Sequence, residues 1–282
     1  MLRALRGMAE SKQFGSTRQP GMLERAALSL RLRAADLTDT LTGRRDRLTP
    51  PRRLAQQVGD SDFRETGERF LGLFETLGDL QPTDRVLDIG CGVGRMARTL
   101  ARTLQPPGSY DGFDISAIGI DWCRAHYRDT PVPFRFAHAD LRNEIYNPDG
   151  HQDAGTYTFP YAADSYDFAL ATSVFTHLLP DAAERYLAES ARVLSPGGRL
   201  FSTWFLLDDE AEPRPPFTRE DRWRPAAVAQ PDAPEAAVAY PESWLRERLQ
   251  RNGLTIDTTH HGSWRSAAGT TLQDVIVARR EH

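Results

Sequence analysis

Lysine is almost missing from this chain of 282 residues: Lys12 is the single one, and the other 34 basic side chains are arginines. With abundant Ala, Pro and Gly, that bias is the mark of a GC-rich bacterial genome and carries no information on activity. Cysteine is equally scarce. Cys91 and Cys123 alone exclude a disulfide framework and a multi-cysteine zinc site, and they predict a reducing, cytoplasmic location. No run of about 18 apolar residues occurs, which excludes a membrane-spanning helix. The opening stretch, MLRALRGMAESKQFGSTRQPG, lacks an apolar core of about 7–15 residues, so a secretory signal is not expected. Nor is there a large excess of one charge: the net charge is −4 and the isoelectric point about 6.0, which argues against capture of nucleic acid by the whole surface. What remains is an ordinary globular composition, with 40% hydrophobic and 26% charged residues, sized for one large domain with extensions.

The charge is uneven. Residues 1–55 carry +7 and the remainder −11. Residues 1–20 are polar, small and without a period, and are expected to be disordered. Leu23, Ala27, Leu30, Ala34, Leu37 and Leu41 then recur in steps of four and three, one apolar stripe on a helix over 21–42 that stops at Gly43. Such a stripe suits packing on the main domain or on a second copy in a homodimer. Arg25, Arg31 and Arg33 on the polar face would also suit a membrane surface, but no aromatic residue lies on the stripe. Residues 44–55, RRDRLTPPRRLA, read as a basic linker and are the one feature that keeps a nucleic-acid partner in play. The chain thus divides into an N-terminal tail, helix and linker (1–55) and a main domain (56–282).

Within 56–282 a helix is expected from Asp62 to near Gly78, and then strands and helices alternate. Strands are predicted at 85–89, 110–115, 133–140, 166–173, 197–205, 254–260 and 272–279, with helices to about 104 and at 117–128, 181–194 and 241–252. This alternation predicts a doubly wound α/β sheet with right-handed crossovers. Residues 208–240 break the rhythm with six prolines and read either as a solvent loop or as a lid, the aromatic Phe217 and Trp223 favouring a lid.

The strongest local signal is Asp88-Ile89-Gly90-Cys91-Gly92-Val93-Gly94-Arg95, between a buried strand and a helix. Glycines let the chain turn tightly and let a ligand approach the backbone, and the following helix offers free N–H groups at its positive end. The spacing is G-x-G-x-G; the sixth position of the dinucleotide fingerprint is Arg95 rather than glycine. Asp114 ends the second strand, where an ionised carboxylate suits a pair of ribose hydroxyls. Asp140 ends the third, near the expected adenine edge. Three acids and a glycine turn at the carboxyl ends of adjacent strands mark a ligand site of an open α/β sheet.

VLDIGCGVG, FDIS, the Asp140 acid, YDFALATSVFTHL and ARVLSPGGRLF together resemble, in this order, the motif series of class I S-adenosylmethionine-dependent methyltransferases, over about residues 62–207 and more loosely 241–282. The resemblance implies a seven-stranded, mostly parallel sheet with a reversed last strand, preceded here by the N-terminal helical extension. It implies S-adenosylmethionine as cofactor and S-adenosylhomocysteine as product. By motif position Asp88 and Gly90, Cys91, Gly92 and Gly94 flank the methionine part. Asp114 and Ile115 hold ribose and adenine, Asp140 and Leu141 frame the adenine, and Thr172 and Ser173 lie beside the cofactor. Ser195-Pro196-Gly197-Gly198 is a structural turn.

Methyl transfer from a sulfonium needs a nucleophile held in line and water excluded; a base is optional. The candidate base is His177, just past the fourth strand, since an imidazole titrates near neutrality; His138 and His151 stand further off. Phe63, Tyr161, Phe175 and Trp204 are the candidate substrate contacts and imply an apolar or planar small molecule, with residues 142–162 as a loop over the site. No metal is expected, because the adjacent His260 and His261 face opposite sides of a strand. Other readings are a cyclase or aminopropyl transferase, an RNA or protein methyltransferase, and a non-catalytic binding protein on the same fold.

Overall fold

A computed structural model describes residues 22–43, 45–59, 62–209, 213–265, 269 and 271–281. The predicted disorder of 1–20 lies outside the described residues, as do the side chains of Leu23 and Ala27.

Helix α1 (Met22–Leu41) is followed by a one-turn helix, Arg52–Ala55, and by α2 (Phe63–Thr76). Asp62 caps α2 by accepting from the backbone N–H groups of Arg64 and Glu65, the arrangement an N-cap aspartate favours. Strands and helices then alternate: β1 (Arg85–Ile89), α3 (Arg95–Thr103), β2 (Ser109–Asp114), α4 (Ala117–His126), β3 (Phe134–His138), β4 (Tyr166–Ala171), α5 (Pro180–Val193) and β5 (Leu194–Trp204). After the short strands β6 (Leu206–Leu207), β7 (Thr218–Arg219), β8 (Ala227–Val228) and β9 (Val238–Pro241) come α6 (Glu242–Arg251), β10 (Leu254–His260) and β11 (Asp274–Arg280).

The main sheet has the order β10-β11-β5-β4-β1-β2-β3. Its five leading strands pair in parallel, and β11 is inserted antiparallel to both β5 and β10. This is the seven-stranded doubly wound sheet with a reversed last strand. The expected turn at Ser195–Gly198 lies inside β5, where Gly197 takes φ +80 and the register against β4 shifts. Val86, Leu87 and Ile89 of β1 are fully buried, as strands covered on both faces require.

Two expectations are corrected. Residues 45–55 are not a free linker: Leu48 is buried in the core, and Asp46 pairs with the wholly buried Arg98 of α3 at 2.6 Å and with Arg102 at 2.5 Å. Glu68 of α2 completes the cluster at 3.0 Å from Arg98. Residues 206–209 and 213–241 are no plain solvent loop: their short strands form a second, four-stranded sheet, β6-β9-β8-β7. Phe205, Leu207, Phe217, Ala227 and Ala239 bury themselves there against Trp264. Trp223, by contrast, is not among the buried side chains of that cluster.

Candidate active site

The carboxyl ends of β1, β2 and β4 define the site. Gly90, Gly92 and Gly94 all adopt positive φ, the region that disfavours a side chain. A Cβ on Gly90 would stand 2.5 Å from Val174, and one on Gly92 would stand 2.4 Å from Val58. The loop therefore packs so closely under Val174 and Val58 that only glycine fits at these two positions.

Asp114, at the end of β2, is fixed by two backbone donors: Gly92 N–H at 2.8 Å and Ser116 N–H at 2.7 Å. Burial pushes its carboxyl above the usual range, against the pull of those donors. Each oxygen keeps a lone pair for a further donor, which suits a diol. Asp88 is wholly buried. Its Oδ2 accepts from the Tyr110 hydroxyl at 2.6 Å, its Oδ1 is a buried acceptor without a partner, and burial raises its pKa to about 8. Cys91 and Leu141 are buried among core side chains, so their contribution to a ligand is limited to the backbone. Asp140 accepts from the exposed His151 ring at 2.6 Å and from Asn147 at 3.2 Å; the His151 hydrogen bond holds its carboxyl below the usual range. Ile115 is half-buried beside Asp114 and packs on the core, and its carbonyl lies 3.2 Å from His138 Nε2.

At the end of β4, Thr172 is half-buried and Ser173 is exposed. Ser173 takes φ +58, which costs a residue with a Cβ about 1–3 kcal/mol unless the surroundings hold it. They do: its N–H donates to Thr203 Oγ1 at 2.7 Å, and its hydroxyl donates to Gln273 Oε1 at 3.0 Å. Thr203 also donates to that oxygen, at 2.6 Å. Sequence reading missed Gln273, because nothing local marks a residue 100 positions away as the support of this turn.

His177 closes a short 3-10 turn with Phe175. Its Nδ1 lies 2.9 Å from the Glu235 carbonyl. A carbonyl only accepts, so Nδ1 carries the proton, and in the neutral ring Nε2 holds the lone pair. The Tyr146 ring meets His177 edge-on at 5.3 Å, and Glu235 also accepts from Glu144 N–H through its carboxylate at 2.6 Å. The insertion and the 142–162 loop thus converge on this histidine.

The aromatic substrate contacts separate. Phe175 and Trp204 stack on each other at 4.1 Å and are wholly buried, so in this conformation they face core rather than ligand. Phe63 is buried under Arg95, with the guanidinium 5.8 Å from its ring. Tyr161 is half-buried and packs edge-on against Tyr166 at 5.4 Å. Among the described residues no group of three His, Cys, Asp or Glu side chains is placed to hold a metal.

The orphaned acceptor of Asp88, the glycine turn and the Asp114 carboxylate at the neighbouring strand end fit a cofactor with an amino-acid end, a ribose and a base. Comparison with known proteins agrees. Residues 86–198 match a family model described as a methyltransferase domain. The chain is 34% identical over 137 residues to methyltransferase GfsG of Streptomyces halstedii, covering 48% of this chain and 43% of that protein. It is 34% identical over 130 residues to fatty-acid O-methyltransferase of Mycolicibacterium smegmatis, covering 46% and 38%. The matching segment thus spans less than half the length of those relatives. In fold it is similar to the 1,6-didemethyltoxoflavin-N1-methyltransferase of Burkholderia thailandensis, solved with 1,6-didemethyltoxoflavin and S-adenosylhomocysteine, at a TM-score of 0.50 and 18% identity over 95% of this chain and 94% of that one. Residues 86–198 thus carry a methyltransferase domain, set in a seven-stranded sheet that this chain shares in fold with the toxoflavin-precursor enzyme.

Proposed function

We propose that the chain transfers a methyl group from S-adenosylmethionine to an oxygen, nitrogen or carbon of a small molecule, in bacterial specialised or glycolipid metabolism. The observation that carries this reading is Asp114, held by Gly92 and Ser116 N–H groups at the lip of the glycine cradle. When bound, the cofactor supplies a methyl group already activated by its sulfonium. Asp114 and Ile115 hold the ribose and adenine, Asp140 and the Leu141 backbone frame the base, and the Gly90–Gly94 loop takes the amino-acid end. Thr172 and Ser173 border the reacting end. His177, oriented by Glu235, takes the acceptor's hydroxyl or ammonium proton at Nε2. The insertion 208–240 and the 142–162 loop cover the acceptor and keep water out, with Tyr161 the aromatic contact left on their inner side.

A small acceptor is supported by the relatives' names, a fatty-acid O-methyltransferase among them. A nucleic-acid acceptor is disfavoured because three arginines of the basic segment already have acidic partners: Arg45 pairs with Asp36, Arg47 with Asp129 and Arg52 with Asp39. The pairs with Asp36 and Asp39 tie α1 to segment 45–55, while Leu30, Leu37 and Leu41 are exposed; we assign that stripe to a second copy of the chain, in a cytoplasmic homodimer. Calorimetric titration with S-adenosylmethionine and S-adenosylhomocysteine tests the core of the reading. Micromolar binding lost in Asp114→Ala is expected, and no binding by folded, ligand-free wild type would overturn it. Accumulation of S-adenosylhomocysteine during turnover separates methylation from a cyclase or an aminopropyl transferase.

A further inference from the structure

Arg95 opens α3 directly after the glycine loop. Its Nη2 donates to the Val58 carbonyl at 2.6 Å, and the same valine covers Gly92, so the cation stands one side chain away from the cradle. It is unlike the arginine three residues further on. Arg98 meets two acids, Asp46 and Glu68. Arg95 meets no carboxylate within ion-pair distance among the described residues, and its Nε is buried without a partner. The Phe63 ring supports the guanidinium at 5.8 Å. Burial, with the nearby Arg69 charge, brings its pKa down to about 10, so it remains charged at neutral pH. Asp62 acts on this cation only from beyond ion-pair distance; a cation kept charged and largely out of water with no acid in contact is costly, and an arriving carboxylate would lower that cost through a forked, charge-assisted contact.

The proposed cofactor carries one anionic group, the carboxylate of its amino-acid end. With Asp114, at the next strand, holding the ribose, the opposite end of the ligand would run along the loop that Arg95 terminates. We infer that Arg95 is the residue that binds the cofactor's carboxylate, with Phe63 as the positioning residue beneath it. This rests on the cofactor reading above. It also gives Phe63, expected as a substrate contact, a different place in the site.

The test compares two ligands on the full chain: S-adenosylhomocysteine and its decarboxylated analogue, which keeps the ammonium and lacks only the carboxylate. Wild type is expected to prefer the first by at least tenfold in Kd. Arg95→Gln should collapse that ratio to within about twofold by weakening S-adenosylhomocysteine while leaving the analogue's Kd unchanged; Arg95→Lys should retain part of the ratio. Phe63→Leu, which keeps the charge and loosens its seat, should give an intermediate ratio. A wild-type ratio near one would overturn the assignment without any variant, whatever the folding of the substituted proteins. An unchanged ratio in folded Arg95→Gln would do the same. Binding of neither ligand by wild type would instead remove the cofactor reading on which the inference stands.

Discussion

Asp88 sits with one oxygen on Tyr110 and the other unpartnered, in surroundings that favour its neutral form. Its pKa of about 8 in the folded chain compares with about 3.9 in an unfolded one. The folded state therefore retains a proton that the unfolded state has lost between those values. The stability this confers is complete below about pH 4 and declines as pH rises through 8, by at most about 1.4 kcal/mol per pH unit. Asp88→Asn should flatten that part of the profile: thermal midpoints from pH 5 to 9 should fall for wild type and fall less for the variant. Parallel curves would mean that the carboxyl is ionised throughout. The glycines allow a sharper contrast. Gly92→Ala must find room beside Val58 at φ +55, so S-adenosylhomocysteine binding should drop at least tenfold. Gly72, inside α2 with nothing within 4 Å of a Cβ placed on it, should instead tolerate alanine and gain about 0.5–1 kcal/mol in denaturant unfolding.

Segment 45–59 is held by side chains rather than by regular pairing. Asp46 is the common acceptor for Arg98 and Arg102, and Arg98 has no solvent exposure to fall back on. Asp46→Ala should cost about 1–3 kcal/mol, below the figure for a fully buried pair because Glu68 still reaches Arg98. Hydrogen exchange should rise across 45–59 and not in β1; uniform loss of protection would place the effect on the whole domain. Elements such as this also show where sequence reading ends. The strand RVLDI, the helix from residue 117 and the strand 254–260 were legible within one or two residues, because period and burial are local properties. The G-x-G-x-G turn and Asp114 were legible because their spacing is short. The docking of 45–55, the second sheet within 206–241 and the seat of Phe175 and Trp204 were not. Each depends on partners dozens of residues away, and a proline-rich stretch looks alike whether its few apolar residues find a core or not.

The two sheets share a seam. Asp274, wholly buried at the start of β11, accepts from Leu206 N–H, Gly262 N–H and the Trp264 indole, so one carboxylate ties the main sheet to the smaller one. The insertion is thus a folded layer rather than a hanging loop. With trypsin, cleavage between 214 and 240 should be slow with or without S-adenosylhomocysteine; rapid cutting there that the ligand suppresses would show a mobile lid. Dimerisation belongs to the same scale. Leu37→Glu with Leu41→Glu should convert a sedimenting dimer to a monomer of about 31.6 kDa, and a monomeric wild type would overturn the assigned interface.

The antiparallel strand β11 carries a consequence for biosynthesis. It is made after every other strand of the main sheet, yet it lies between β5 and β10 and brings Gln273, the support of the Ser173 turn, to the site. While the nascent chain emerges, β5 presents an open edge and the β4 turn lacks its brace. On the cofactor reading proposed above, capture therefore waits for β11, and ribosome-stalled products that stop short of residue 273 should bind no S-adenosylhomocysteine even though every glycine and acid of the loop has already been synthesised.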